Sequence, residues 1–214
     1  MQHTKNAFTD EEIVHNLITI LFASYDTTSN SLLYILLAIG TYERVQQRIY
    51  TELQEVFGGT ARDVDKHDLS KLVYLEAVIK EALRLYPVGA FVARSSDTDV
   101  KLKKFTLPAG SDIVLLNYAV NRHPVWGPDA DEFRPERWLE RGSSGVNPNA
   151  FAAFGLGKRA CIGKQYAMMI MKVILAHFLR QYRVTGDVTK LQVQFDNIIM
   201  GPKSGHEITV EPRV

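Results

Sequence analysis

The chain has 214 residues, 46% hydrophobic and 23% charged, and its 25 Lys and Arg against 24 Asp and Glu leave a formal charge of +1. These values exclude disordered and collagen-like chains and give no electrostatic case for a nucleic-acid partner. A single cysteine, Cys161, excludes an intramolecular disulfide and any multi-cysteine zinc or iron–sulfur site. No charged-then-apolar leader opens the sequence, so no secretory signal is expected, and no apolar run approaches the roughly 18 residues of a membrane span.

Thr9-Asp10-Glu11-Glu12 reads as a capping box before a long helix whose apolar residues continue from 13 to 42. Apolar almost all round, that helix is expected to be buried. The exception is the polar patch 26–31, where competing side-chain hydrogen bonds predict a local distortion. A second, amphipathic helix follows over 43–57 and stops at Gly58-Gly59. A third is predicted over 70–86, where Pro87 forbids continuation. Short β-type runs come next at 91–94, 100–102 and 113–116, with the turn signal Pro108-Ala109-Gly110 between the last two.

Residues 123–149 hold four prolines and three glycines without a clear period, a stretch that is either functional or a warning against the assignment. A fourth strong helix spans 163–182, with Ala167, Ile170, Met171, Ile174, Leu175 and Phe178 at helical spacing. The tail 192–210 reads as short strands around Pro202-Lys203-Ser204-Gly205. The expected fold is mainly α with a minor β-sheet.

The densest motif is Phe154-Gly155-Leu156-Gly157-Lys158-Arg159-Ala160-Cys161-Ile162-Gly163. Gly155-x-Gly157-x-x-Ala160 imitates a dinucleotide fingerprint, but no strand precedes it and His177 stands where an acid is required. Gly163-Lys164 imitates the end of a phosphate loop, but Gln165 replaces the required hydroxyl. The glycines at 155, 157 and 163 let the backbone turn tightly and approach a flat ligand. Cys161 stands just before a helix whose N-terminal amides and dipole favour a thiolate, and Arg159 carries a charge suited to a ligand carboxylate. Alone, Cys161 reads as an inert buried residue. The full Phe-x-x-Gly-x-Arg-x-Cys-x-Gly spacing reverses that reading.

That decapeptide resembles the haem-binding signature of the cytochromes P-450, the haem-thiolate monooxygenases, and three further motifs agree in order. Glu81-x-x-Arg84 places two side chains on one helical face; alone such a pair is a solvated ion pair, but it stands in the family's Glu-x-x-Arg position. Phe133-Arg134-Pro135-Glu136-Arg137-Trp138 resembles the family's second structural element, whose arginine, Arg137, completes a buried Glu–Arg–Arg cluster. A charged triad is costly to desolvate, so its expected role is architectural. Ala23-Ser24-Tyr25-Asp26-Thr27-Thr28 resembles the oxygen-activation segment, with Ser24 in place of the usual glycine. Without the family, the same segment is a polar nick in a buried helix.

The resemblance covers residues 9–210 and implies the C-terminal half of the P-450 fold, a single partial domain over 1–214 with a long central helix and a haem-binding cysteine loop. It implies haem b (iron protoporphyrin IX) ligated by Cys161, with Arg159, Phe154, Gly157, Gly163 and Ala23 around it and Thr27 and Asp26 managing protons. Arg94 is either a propionate ligand or an ordinary strand arginine, and Phe91, Val92, Ile198 and Ile199 are either substrate contacts or core. Lys158, Lys164 and Lys172 form either a basic patch for an electron donor or a solvated face.

The implied reaction inserts one oxygen atom of O2 into an apolar small molecule. NADPH-derived electrons would arrive through a flavoprotein reductase or a ferredoxin-type donor. The alternatives are a peroxide-rearranging member of the family and a truncated, non-catalytic piece. Full-length eukaryotic members imply the endoplasmic reticulum membrane, for which this chain shows no anchor.

Overall fold

Thr9 opens the first helix, α1 (Asp10–Thr41), through a reciprocal capping box: the Glu12 N–H donates to Thr9 Oγ1 at 3.2 Å and the Thr9 N–H to Glu12 Oε2 at 2.8 Å. A computed structural model of the chain describes residues 8–140, 150–190, 193–194, 199–202 and 207–213. After Tyr42 the chain enters α2 (Glu43–Phe57), which ends at Gly58 in the left-handed region, φ 60°. Helix α3 (Val73–Leu85) starts three residues later than the pattern predicts, and α5 (Lys164–Gln181) matches its predicted span to within a residue at each end. The short α4 (Asn117–Val120) lies between them in sequence.

The core is where the C-terminal third of α1 meets α2, α3 and α5. Ile35, Ile39, Ile49, Leu53, Ile79 and Leu175 are fully buried there. The expectation that α1 is buried along its length is overturned. Ile13, Leu17, Leu21, Phe22 and Tyr25 are all more than two-fifths exposed. The reason is length: a 32-residue helix spans about 48 Å, while its partner helices have 13 to 18 residues and reach only its last turns. The predicted distortion is absent as well, since α1 is continuous across 26–31. Thr27 Oγ1 donates back to Ala23 O at 2.7 Å and Ser31 Oγ to Thr27 O at 2.8 Å, so both hydroxyls are satisfied without breaking the helix.

The described strands form four two-stranded antiparallel ladders, confirming a minor β component. Strand β1 (Val92–Ser95) pairs with β4 (Asp112–Leu115), Val92 opposite Leu115, and β2 (Val100–Lys101) pairs with β3 (Thr106–Leu107). Strand β5 (Tyr182–Thr185), which the sequence reading did not predict, pairs with β8 (Thr209–Pro212). Strands β6 (Val193–Gln194) and β7 (Gly201–Pro202) fall inside the predicted tail; the turn expected at 202–205 lies mostly outside the described residues.

Strand β5 is fixed to α2 by Gln46, whose buried side chain donates to Val184 O at 2.7 Å and accepts from Val184 N–H at 2.8 Å. The irregular stretch is confirmed as irregular: residues 123–140 form 3-10 turns and bends, and 141–149 lie outside the described residues.

Candidate functional site

Glu81 and Arg84 leave the same face of α3 and are fully buried; Arg137, from the 3-10 turn Pro135–Trp138, meets them there. Arg84 grips the Glu81 carboxylate in a fork, Nε to Oε2 and Nη2 to Oε1, both at 2.9 Å, and Arg137 Nε donates to Oε1 at 2.8 Å. The Arg134 N–H and the Trp138 indole add donors at 3.0 and 2.9 Å. The outer guanidinium nitrogens of Arg84 reach Asn121 O, Ala130 O and Glu132 O, while those of Arg137 reach Trp126 O and Asp129 O. Burial opposes the charge on Asp129, but Arg137 and then Arg134 outweigh it and hold that carboxyl below the usual carboxylate range. The three residues drawn together on sequence grounds are therefore in direct contact.

Gly155 and Gly157, both at φ 69°, let the segment before α5 fold back on itself. The Gly155 N–H donates to Ala152 O at 2.8 Å, the Ala160 N–H to Gly157 O at 3.1 Å and the Cys161 N–H to Phe154 O at 2.7 Å. Cys161 is a free, exposed cysteine among the described residues. Gly163 caps α5 without a side-chain hydrogen bond, and a Cβ placed on it would lie 3.8 Å from Cys161 Sγ. Lys158, Arg159 and Lys164 are exposed in the same segment, as are the apolar Leu156 and Ile162, while Phe154 is half-buried against the main core. On α1, Ala23 and Thr27 are exposed and Asp26 is half-buried, its carboxylate 3.5 Å from Asn30 Nδ2.

Among the described residues no group of three His, Cys, Asp or Glu side chains is placed to hold a metal ion. One thiol as the single protein donor suits a metal whose other ligands belong to a cofactor, and the exposed Leu156, Ile162 and Arg159 of the same loop suit a flat, apolar group carrying carboxylates. No helix among these residues is long and apolar enough to cross a membrane.

A family model described as Cytochrome P450 matches residues 1–210. The chain belongs to the cytochrome P450 family. It is 36% identical over 209 residues to the mouse (Mus musculus) protein Cytochrome P450 4V2, an alignment covering 97% of this chain and 40% of that one. It is 37% identical over 185 residues to Probable cytochrome P450 4aa1 of Drosophila melanogaster, covering 85% and 36%. Among solved structures it is similar to a crystal structure of a cytochrome P450 (CYP102L1), with TM-score 0.86 and 29% identity over 98% of this chain and 47% of that one. This P450 chain thus spans about 40% of the length of the curated relatives it matches.

Other expected site residues of this P450 are less concentrated. The Arg94 guanidinium is exposed on β1 and donates to Ala93 O at 2.7 Å. Phe91 and Ile199 are brought together against a small second cluster of Tyr34, Val88, Ala90 and Met200; Val92 is half-buried beside them in sequence, and Ile198 lies outside the described residues. Lys172 does not belong to a basic surface patch. It is buried, donates to Leu69 O at 2.9 Å and pairs with Glu76 of α3.

The sequence reading missed Trp138 as a ligand of Glu81. Its signal was available, since an indole N–H on an inward-facing tryptophan seeks a partner, and Trp138 directly follows Arg137.

Proposed function

We propose that this chain carries the haem-binding part of a haem-dependent monooxygenase, which inserts one oxygen atom of O2 into an apolar organic substrate. The observation that carries the reading is the exposed thiol of Cys161, presented at the mouth of a glycine-turned loop directly before α5. Cys161 Sγ would be the thiolate ligand to the haem iron, and Arg159 and Arg94, both exposed, are the cations suited to the propionates. Gly157 and Gly163 would let the loop backbone come close to the ring, and Phe154 packs against the core.

When bound, haem supplies the electron and oxygen chemistry; the residues of the chain bind, orient and handle protons. Thr27 Oγ1, which rests on Ala23 O, is the hydroxyl that would present a proton at the oxygen side, and the Asp26 carboxylate is the group that would resupply it. Phe91, Val92, Ile198 and Ile199 are the apolar side chains proposed to meet the substrate. Lys158, Arg159 and Lys164 are exposed within three residues of Cys161 in sequence, which supports docking of an electron-donating flavoprotein or ferredoxin-type partner there.

A second reading, a non-catalytic interaction piece, is favoured by the bare apolar flank of α1 from Ile13 to Tyr25. The absorption spectrum of the haem-reconstituted protein, reduced under carbon monoxide, separates the two. Thiolate ligation gives a strongly red-shifted Soret band that disappears in Cys161→Ala. A band typical of imidazole ligation, unchanged by that substitution, refutes the role given to Cys161.

A further inference from the structure

Trp138 occupies the junction between the buried charge cluster and the cysteine loop. Its indole Nε1 donates to Glu81 Oε2 at 2.9 Å, and its ring meets Phe151 edge-on, with centroids 4.9 Å apart at 70°. Trp126 stands on the same indole at 5.6 Å. Phe151 precedes Ala152, which is 4% exposed and accepts the Gly155 N–H, and Phe154 accepts the Cys161 N–H. Every step from Glu81 to Cys161 is therefore a hydrogen bond, a ring contact or a few residues of a folded loop. A phenylalanine at 138 would fill much of the same stack, but it would leave Glu81 Oε2 with Arg84 Nε alone and the ring free of any directional tie.

We propose that Trp138 is a positioning residue that couples the Glu81–Arg84–Arg137 cluster to the loop presenting Cys161. The indole N–H fixes the ring on the carboxylate, and the ring edge fixes Phe151 at the root of the loop. The proposal rests on the reading of Cys161 as the residue that the loop exists to hold, but its test needs no haem, so a failure of Cys161 to ligate iron leaves the result below intact.

The test is amide hydrogen exchange resolved to single residues in the full chain. Trp138→Phe is expected to speed exchange at the Gly155 and Cys161 amides by about ten-fold, while the amides of α2 and of the second half of α5 keep their rates. Trp138→Phe should also be non-additive with Phe151→Leu at the same two amides. Unchanged rates at Gly155 and Cys161, additive effects, or an even acceleration throughout the core would each overturn the proposal, the last because it reports stability alone. A measurement on the unsubstituted chain serves where the variants do not fold: the Trp138 indole proton and the Cys161 amide should open together, and openings at different rates would also overturn it.

Discussion

Replacing Glu81 by glutamine tests what the buried cluster contributes, because the change keeps the shape and removes the charge. Two guanidinium groups, Arg84 with none of its side chain exposed and Arg137 with 4%, share this single carboxylate. Breaking a buried pair by neutralising one partner costs about 3–5 kcal/mol, and with full burial there is no solvent screening to discount it. The new amide also carries an NH2 group where only donors converge. Placed at Oε1 it faces Arg84 Nη2, Arg137 Nε and the Arg134 N–H; placed at Oε2 it faces Arg84 Nε and the Trp138 indole. Either choice strands buried donors at about 1–3 kcal/mol.

The total, about 4–8 kcal/mol, rivals the whole stability of many domains, so Glu81→Gln should be partly unfolded without denaturant. Urea unfolding followed by the fluorescence of the two tryptophans reads the cluster directly, since Trp138 binds Glu81 and the Arg84 guanidinium lies 5.3 Å from the Trp126 ring. The pair of exposed Arg48 with half-buried Glu136 is the control, and Arg48→Gln should cost about 1 kcal/mol or less. A Glu81→Gln midpoint displaced no further than that control, with an unchanged slope, would refute the reasoning.

Two other expectations concern the frame around the site. A Cβ on Gly40 would lie 2.7 Å from Gly186 N and 3.0 Å from Thr185 C, both backbone, so the crossing of α1 over the end of β5 depends on this glycine. Gly40→Ala should lower stability by about 1–3 kcal/mol despite alanine's better helix propensity, and a raised urea midpoint would contradict the close approach. Asp68 accepts from both Arg62 nitrogens and from the Asp65 N–H, and the Arg62 hydrogen bond, then the Asp65 N–H, hold its carboxyl well below the usual carboxylate range. A depressed folded pKa stabilises the fold above the unfolded value, about 3.9, and that contribution is lost as pH falls towards the folded value. The stability advantage of the unsubstituted chain over Asp68→Asn should therefore be constant near neutrality and shrink below about pH 4; an advantage that grows with acidity would reverse the sign.

What was legible in the sequence was local. Thr9 and Glu12 announce their own capping box, Gly58 its helix end, and the loop from Phe154 to Gly163 its turns, because each signal and its structural consequence lie within a few residues. What depended on a distant partner was misread unless the family resemblance supplied it, as it did for Arg137 and Glu81. Lys172 looks like a surface lysine until Glu76, on another helix 96 residues earlier, neutralises it. An all-round apolar α1 announces that it needs cover but not how much of its length the other helices reach. Glu81 and Arg84 were visible as a pair, yet Trp138 and the Arg134 N–H join them only once 53 to 57 residues of intervening chain have folded.

The described part of the irregular stretch, residues 123–140, shows why a charged cluster is useful in that place. Chain without helix or strand must find donors for its carbonyl oxygens elsewhere, or leave them buried and unpaired at a cost of about 1–3 kcal/mol each. Arg84 and Arg137 provide such donors for Trp126, Ala130 and Glu132, for Asp129, which also accepts from the Glu132 N–H, and for Asn121 just before the stretch. Glu81 in turn makes two arginines tolerable in one interior. A hydrophobic replacement of the triad would relieve the desolvation cost and still fail here, because apolar side chains offer nothing to those oxygens. The cluster thus acts as a substitute for secondary structure. Through Trp138 and Phe151 it borders the loop of Cys161, which is itself turned by glycines rather than held in a regular element.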